Sequence, residues 1–324
     1  MKVCIYGAGA IGGWIGAKLA LAGNEVCVVA RGATLEALKA HGLRLEMGGQ
    51  VHAAAVRASA KPADLGVQDL VVVAVKAPAM ADVAKAIAPL IGPDTVVLTA
   101  MNGVPWWFFE GFGGSYAGRR LAAVDPGGAI AQAIAGKHIV GGVVHASFSL
   151  NGPGFVKHNF GNKLIIGEPS GRKTQRLQAI ADMLAAAGIE TAVSEQIQKD
   201  AWYKLWGNMT VNPVSAMTGA TTDLILGDDL VRGFISSVML EAKEIGARIG
   251  IPIDQQPEDR HAVTMKLGAF RTSMLQDVDA GRAVELDALV TVVRELGQIT
   301  GVPTPNTDTL LGLARLHARV RGLY

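Results

Sequence analysis

Lys2-Val3-Cys4-Ile5-Tyr6-Gly7-Ala8-Gly9-Ala10-Ile11-Gly12 begins as a short β-branched run and then breaks into three glycines at a Gly-x-Gly-x-x-Gly spacing. Val3 to Tyr6 reads as a strand, Ala10 to Ala22 as a helix, and Glu25 to Val29 as a second strand that closes the unit. In that setting each glycine has a task. One permits a tight turn, one lets the backbone approach a pyrophosphate, and one lets the helix pack closely, while the helix N-terminus offers N–H groups and a positive dipole. Gly7, Ala8, Gly9, Ala10, Ile11 and Gly12 are therefore the expected phosphate cradle of a dinucleotide. The same glycines, with Gly13 and Gly16, interrupt what would otherwise resemble an export signal after Met1-Lys2.

Working outward, Val51 to Val56, Leu70 to Val75 and Thr95 to Thr99 read as further strands, with a helix over Ala79 to Ile91. Strands alternating with helices imply a parallel, doubly wound sheet with right-handed crossovers. Ile139 to Leu150 and Gly154 to His158 flank Asn151-Gly152-Pro153 and read as an antiparallel hairpin, with Leu164 to Ile166 added to the same sheet. A helix over Arg172 to Ala187 and a strand near Thr191 complete this part. From Ser194 the strand signals fade. Five helical stretches follow, near Glu195 to Met217, Asp229 to Gly250, Gln256 to Leu275, Val284 to Gly301 and Thr304 to Arg319. Gly250-Ile251-Pro252 and Gly301-Val302-Pro303 each read as a helix stop. The expected division is thus 1–193 for a nucleotide-binding α/β domain and 194–324 for a helical domain that carries the substrate.

A chain of 324 residues is long for one core, which also favours two domains. Half the residues are hydrophobic and 18% are charged, which excludes a disordered chain. The net charge of +2 is dispersed and calls for no nucleic acid and no membrane surface. No apolar run reaches the ~20 residues that span a bilayer. Cys4 and Cys27 fall in apparent buried strands and imply no disulfide framework, so a cytoplasmic home is expected. The seven histidines do not converge on any metal-ligand spacing, and no metal is expected.

In open parallel sheets ligands bind beyond the carboxyl ends of the strands. The end of the second strand reads Ala30-Arg31, where NAD-specific folds usually carry an acid. A guanidinium can pair with a 2′-phosphate, which favours NADP(H) over NAD(H); the alternative is a solvated arginine. Lys76 and Asn102 follow two more apolar strands, and with Gly7 and Arg31 they are expected to line one crevice; either could also be a turn residue.

The run Lys204-Leu205-Trp206-Gly207-Asn208-Met209-Thr210-Val211-Asn212-Pro213 places an amine and two amides four residues apart on one helix face. An ammonium can give a proton to a carbonyl oxygen as it becomes an alkoxide, and carboxamides can hold a hydroxyl or carboxylate without a competing charge. Pro213 lacks an N–H, so a kink there would free the Met209 carbonyl.

Taken together, the glycine turn, Arg31, Lys76, Asn102-Gly103, the Lys204/Asn208/Asn212-Pro213 helix, and Ser273-Met274-Leu275-Gln276-Asp277 followed by Glu285-Leu286-Asp287 resemble the ketopantoate reductase family. The resemblance implies a Rossmann-type domain followed by an all-helical domain like that of 6-phosphogluconate dehydrogenase. It implies NADP(H)-dependent reduction of a small 2-oxo acid and leaves room for a homodimer. By the same resemblance Lys204 is the general acid and Glu285 its acidic partner, Asn208, Asn212 and Ser273 bind substrate, and Lys76 and Asn102 lie between nicotinamide and substrate. Two departures point to a different 2-oxo acid as the alternative substrate. Thr222 stands where family members often carry Asn, and Pro105-Trp106-Trp107-Phe108-Phe109 precedes a glycine-rich stretch ending before a strand at Leu121. That aromatic run either walls a substrate pocket or packs on helices or a subunit contact. A non-catalytic NADP(H) sensor is the reading from another class, against which the pairing of Lys204 with Glu285 counts.

Overall fold

In the computed structural model, which describes residues 1–324, the chain forms two units: residues 1–101, 107–119 and 128–200, and residues 102–106, 120–127 and 201–324. All strands lie in the first unit: β1 (Lys2–Tyr6), β2 (Glu25–Val29), β3 (Leu43–Met47), β4 (Gln50–Ala54), β5 (Arg57–Ser59), β6 (Leu70–Val73), β7 (Val96–Thr99), β8 (Ile139–Gly152), β9 (Phe155–Gly167) and β10 (Glu190–Val193). They form one sheet in the order β4-β3-β9-β8-β7-β6-β1-β2-β5, with β10 beside β9. The ladder from β5 through β2, β1, β6 and β7 to β8 is parallel, and β8 and β9 pair antiparallel as the Asn-Gly-Pro turn predicts.

Helix α1 (Ala10–Leu21) is apolar on every side, as expected of a buried helix, and it packs on strands from both halves of this sheet. Glycine makes that close approach feasible: a Cβ on Gly13 would lie 2.5 Å from Val156 Cγ2. Other helices of the unit are α2 (Gly32–His41), α3 (Met80–Ala86), α4 (Ala129–Ala133) and α5 (Gln175–Ala186).

The predicted strand over Val51 to Val56 forms as β4, which pairs antiparallel with the unforeseen β3 in a hairpin, and a separate short strand, β5, follows it. Gly48 and Gly49 both take positive φ in the hairpin turn, the geometry that two-residue hairpins require. Helix α2 escaped the pattern because it buries only Leu38. No strand forms at Leu121. That segment turns, and the Ala122 and Ala123 N–H groups donate to the Glu295 carboxylate at 2.7 and 2.8 Å.

The second unit holds most of α6 (Ile197–Thr218), then α7 (Thr222–Gly227), α8 (Asp229–Arg248), α9 (Pro257–Met265), α10 (Ser273–Asp279), a π-helical turn (Asp287–Thr291), α11 (Val292–Thr300) and α12 (Pro305–Val320). Ile235, Val238, Met239, Ala242 and Ile245 give α8 a buried stripe at helical spacing, and α7, α9, α11 and α12 pack around it. The Trp206 indole N–H donates to the Met239 carbonyl at 2.7 Å and ties α6 to α8. Gln256 to Leu275 is two helices rather than one, because Gly268 at φ +63° breaks the run and Thr272 caps a new one through Leu275 N–H. No helix is long and apolar enough to cross a membrane.

Candidate active site

The cradle in the first unit is built by backbone. Gly7 has φ +98°, and a Cβ on Gly12 would lie 2.0 Å from the Gly7 carbonyl oxygen, so the turn closes only with glycine at both positions. At Gly9 a Cβ would meet nothing within 4 Å; the backbone there faces open space. Gly9 is also the N-cap of α1 and no side chain caps the helix, which leaves its first N–H groups for a ligand. A cavity of about 400 Å³ adjoins this turn and is lined by Gly7, Ala8, Gly9, Arg31, Thr34 and Asp82 among others. Ala10, Ile11 and Gly12 support it from within α1 rather than line it.

Arg31 Nη1 lies 4.0 Å from the Asp82 carboxylate, with both side chains largely exposed, so the pair is weak and the guanidinium can reorient toward an anion. Asp82 is a carboxylate on the cavity rim that the sequence did not announce, because it comes from α3 and not from the end of β2. Thr34 was also missed; its only signal is its place in the first turn of α2. A cavity of this size over uncapped N–H groups, with a guanidinium at its edge, suits a dinucleotide. Lys76 is not among the lining residues, although Val75 and Ala79 on either side of it are.

Chemistry in the second unit is built by side chains. Lys204 is partly buried in α6, and its ammonium donates to Asn102 Oδ1 at 2.7 Å. Asn102 is held there by its own turn: Val104 N–H donates to the Ala288 carbonyl at 2.9 Å, and Gly103, at φ +85°, approaches so closely that a Cβ would lie 2.3 Å from that oxygen. Ala288 belongs to the π-helical turn, and Glu285 lies three residues before it. One irregular helix start thereby carries the acid and docks the turn that bears the amide, a common use of π geometry at functional sites.

Burial lowers the Lys204 pKa to about 8, opposed by the Glu285 carboxylate and assisted by the positive charge of Arg260. A neighbouring carboxylate by itself would raise the pKa of the amine, and desolvation outweighs it. Arg260, on α9, was not foreseen; as one surface cation among many it carries no motif.

Asn208 is partly buried and Asn212 is buried, both on the α6 face that carries Lys204. Helix α6 runs on through Pro213 to Thr218. Ser273 is exposed at the first position of α10. Thr222 is 2% exposed; its hydroxyl donates to the Gly268 carbonyl at 2.7 Å and its N–H to Phe270. It is a latch between segments. The aromatic run likewise packs inward. Trp107, Phe108 and Phe109 are buried in the first unit, and the Trp107 indole N–H donates to Thr99 Oγ1 at 3.1 Å. Both departures that suggested another substrate are thus committed to packing. No cluster of His, Cys, Asp or Glu able to hold a metal ion is present.

A glycine-turn nucleotide cradle in a Rossmann-type unit, joined to a helical unit presenting a desolvated amine beside an acid and an amide, defines an oxidoreductase of the class acting on CH–OH groups. The chain belongs to the ketopantoate reductase family: residues 3–106 match the model described as ketopantoate reductase PanE/ApbA, and residues 196–318 match its C-terminal model. It is 45% identical to the 2-dehydropantoate 2-reductase of Mesorhizobium japonicum, with all of both chains covered. A solved structure from Ralstonia solanacearum MolK2, proposed to be a ketopantoate reductase, superposes with a TM-score of 0.97 at 57% identity, covering 100% of this chain and 99% of that one. The PanE/ApbA family ketopantoate reductase of Ralstonia eutropha JMP134 superposes with a TM-score of 0.85 at 27% identity, covering 99% and 100%.

Proposed function

We propose that the chain reduces 2-dehydropantoate to pantoate with NADPH, using Lys204 as the general acid. The observation that carries this reading is the Lys204 ammonium, fixed on Asn102 Oδ1 at 2.7 Å and lowered by burial to a pKa of about 8. A donor with a pKa near the operating pH is protonated enough to give a proton and acidic enough to part with it. Bound NADPH supplies the hydride. Lys204 donates its proton to the 2-oxo oxygen as negative charge develops there, and Glu285 keeps the amine protonated between turnovers. Asn102 holds the amine in one direction. Asn208, Asn212 and Ser273 take the hydroxyl and carboxylate ends of the substrate, and Lys76 would help to hold the nicotinamide end of the cofactor. Apart from the Asn102 turn, which serves the acid site, residues 1–193 serve the nucleotide and 194–324 the substrate.

Arg31 supports NADPH over NADH, since it edges the cavity and its only ion pair is long and exposed. A panel of 2-oxo acids assayed with NADPH and NADH in parallel tests the reading. The expected result is the highest kcat/KM for 2-dehydropantoate with NADPH; a clear preference for another 2-oxo acid, or for NADH, would overturn the corresponding half of it.

A further inference from the structure

Arg260 occupies a seat that looks made for it. Its guanidinium carbon lies 5.2 Å from the centroid of the Tyr203 ring. A Cβ on Gly207 would lie 2.7 Å from its Nε, 3.1 Å from Nη2 and 3.4 Å from Cζ. Tyr203 and Gly207 are four residues apart on α6 and form the strip beside the one that carries Lys204 and Asn208. An aromatic face and a bare stretch of helix backbone thus accept a planar cation, and any residue larger than glycine at position 207 would force it to shift.

Two observations show that this seat is not explained by folding alone. Arg260 Nε is buried without a hydrogen-bond partner, whereas buried donors ordinarily have one. The charge also lies close enough to the proposed general acid to oppose its protonation. A fold seeking stability would not bring a second cation to a buried ammonium. An anion arriving with the substrate would reconcile them.

We propose that Arg260 is the charged receptor for the carboxylate of the 2-oxo acid, gripping it side-on through Nε and a terminal guanidinium nitrogen and adding to the polar contacts of Asn208, Asn212 and Ser273, while the neighbouring 2-oxo oxygen faces Lys204. The proposal rests on the reductase reading and adds to it a residue that selects acids over neutral ketones. The 2-oxo and carboxylate groups occupy adjacent carbons, so their receptors must be neighbours, as the Tyr203–Gly207 and Lys204–Asn208 strips are. A guanidinium matches a carboxylate in a planar, two-point fashion that the amides of α6 and a single hydroxyl cannot reproduce. Lysine at position 260 would keep the charge and lose the plane.

The test compares 2-dehydropantoate with its neutral carboxamide as substrates of wild type, Arg260→Gln, Arg260→Lys and Gly207→Ala, alongside NADPH affinity by fluorescence titration. In Arg260→Gln the KM for the acid is expected to rise at least ~30-fold, with a far smaller effect on the amide and on NADPH affinity. Arg260→Lys should recover part of the loss. Gly207→Ala, which keeps the arginine but displaces it, should show the same selective rise in KM and secures the test if Arg260→Gln folds poorly. An acid KM within about twofold of wild type in both Arg260→Gln and Gly207→Ala, or equal losses on acid and amide, would overturn the proposal. Calorimetric titration with oxamate, which carries the carboxylate but cannot be reduced, separates the two readings. Arg260-dependent oxamate binding by a protein that reduces no 2-oxo acid would sink the reductase assignment and leave the carboxylate receptor standing.

Discussion

The nucleotide cradle and the acid site are built on opposite principles. Between Gly7 and Gly12 the groups on offer are backbone N–H groups; glycine at 7 and 12 lets the turn close, and glycine at 9 leaves the backbone open. Around Lys204 the groups brought together are side chains, from positions 102, 204, 260 and 285, held by α6, α9 and a π-helical turn. A backbone site tolerates changes in side-chain chemistry and fails when bulk is added. A side-chain site fails when one functional group is lost.

That contrast makes graded predictions. Lys204→Ala should lower kcat at least ~10²-fold while NADPH affinity, measured by fluorescence titration, stays nearly intact. A matching loss of cofactor affinity would break the separation between the two sites. Gly103→Ala should lower kcat by roughly 30-fold, because a Cβ would press on the Ala288 carbonyl at 2.3 Å and displace Asn102 from the amine. Cofactor affinity should again be spared, and a crystal structure of the variant would show the turn shifted. In the cradle, Arg31→Asp should weaken NADPH binding about tenfold and leave NADH within a few-fold, read by parallel titrations. Equal losses would remove Arg31 from the phosphate site.

The same contrast decides what the sequence could reveal. The cradle is continuous in the chain, so its strand, glycine spacing and helix were legible together, and β1, β2 and α1 fall within one residue of their expected ends. The face of Lys204, Asn208 and Asn212 was legible for the same reason. Arg260 and the π-helical turn were not, because their role depends on packing between segments far apart in the chain and no local period encodes it. Asp82 shows the same limit inside the first unit: reading the end of β2 finds no acid, yet α3 delivers one to the cavity rim. Thr222 misled in the other direction. As a departure from a pattern it suggested altered chemistry, but its hydroxyl is spent on the Gly268 carbonyl.

In the proposed mechanism a desolvated lysine, steadied by Glu285, donates the proton. Its most direct test is the pH dependence of kcat/KM in wild type and in Glu285→Gln. An ammonium is competent below its pKa and is lost as pH rises through it, so wild-type activity should fall tenfold per pH unit above about 8. Glu285 raises that pKa, so Glu285→Gln should move the break to lower pH. A wild-type profile with no alkaline break near that value, or a break that Glu285→Gln leaves in place, would contradict the assignment of Lys204 as the acid.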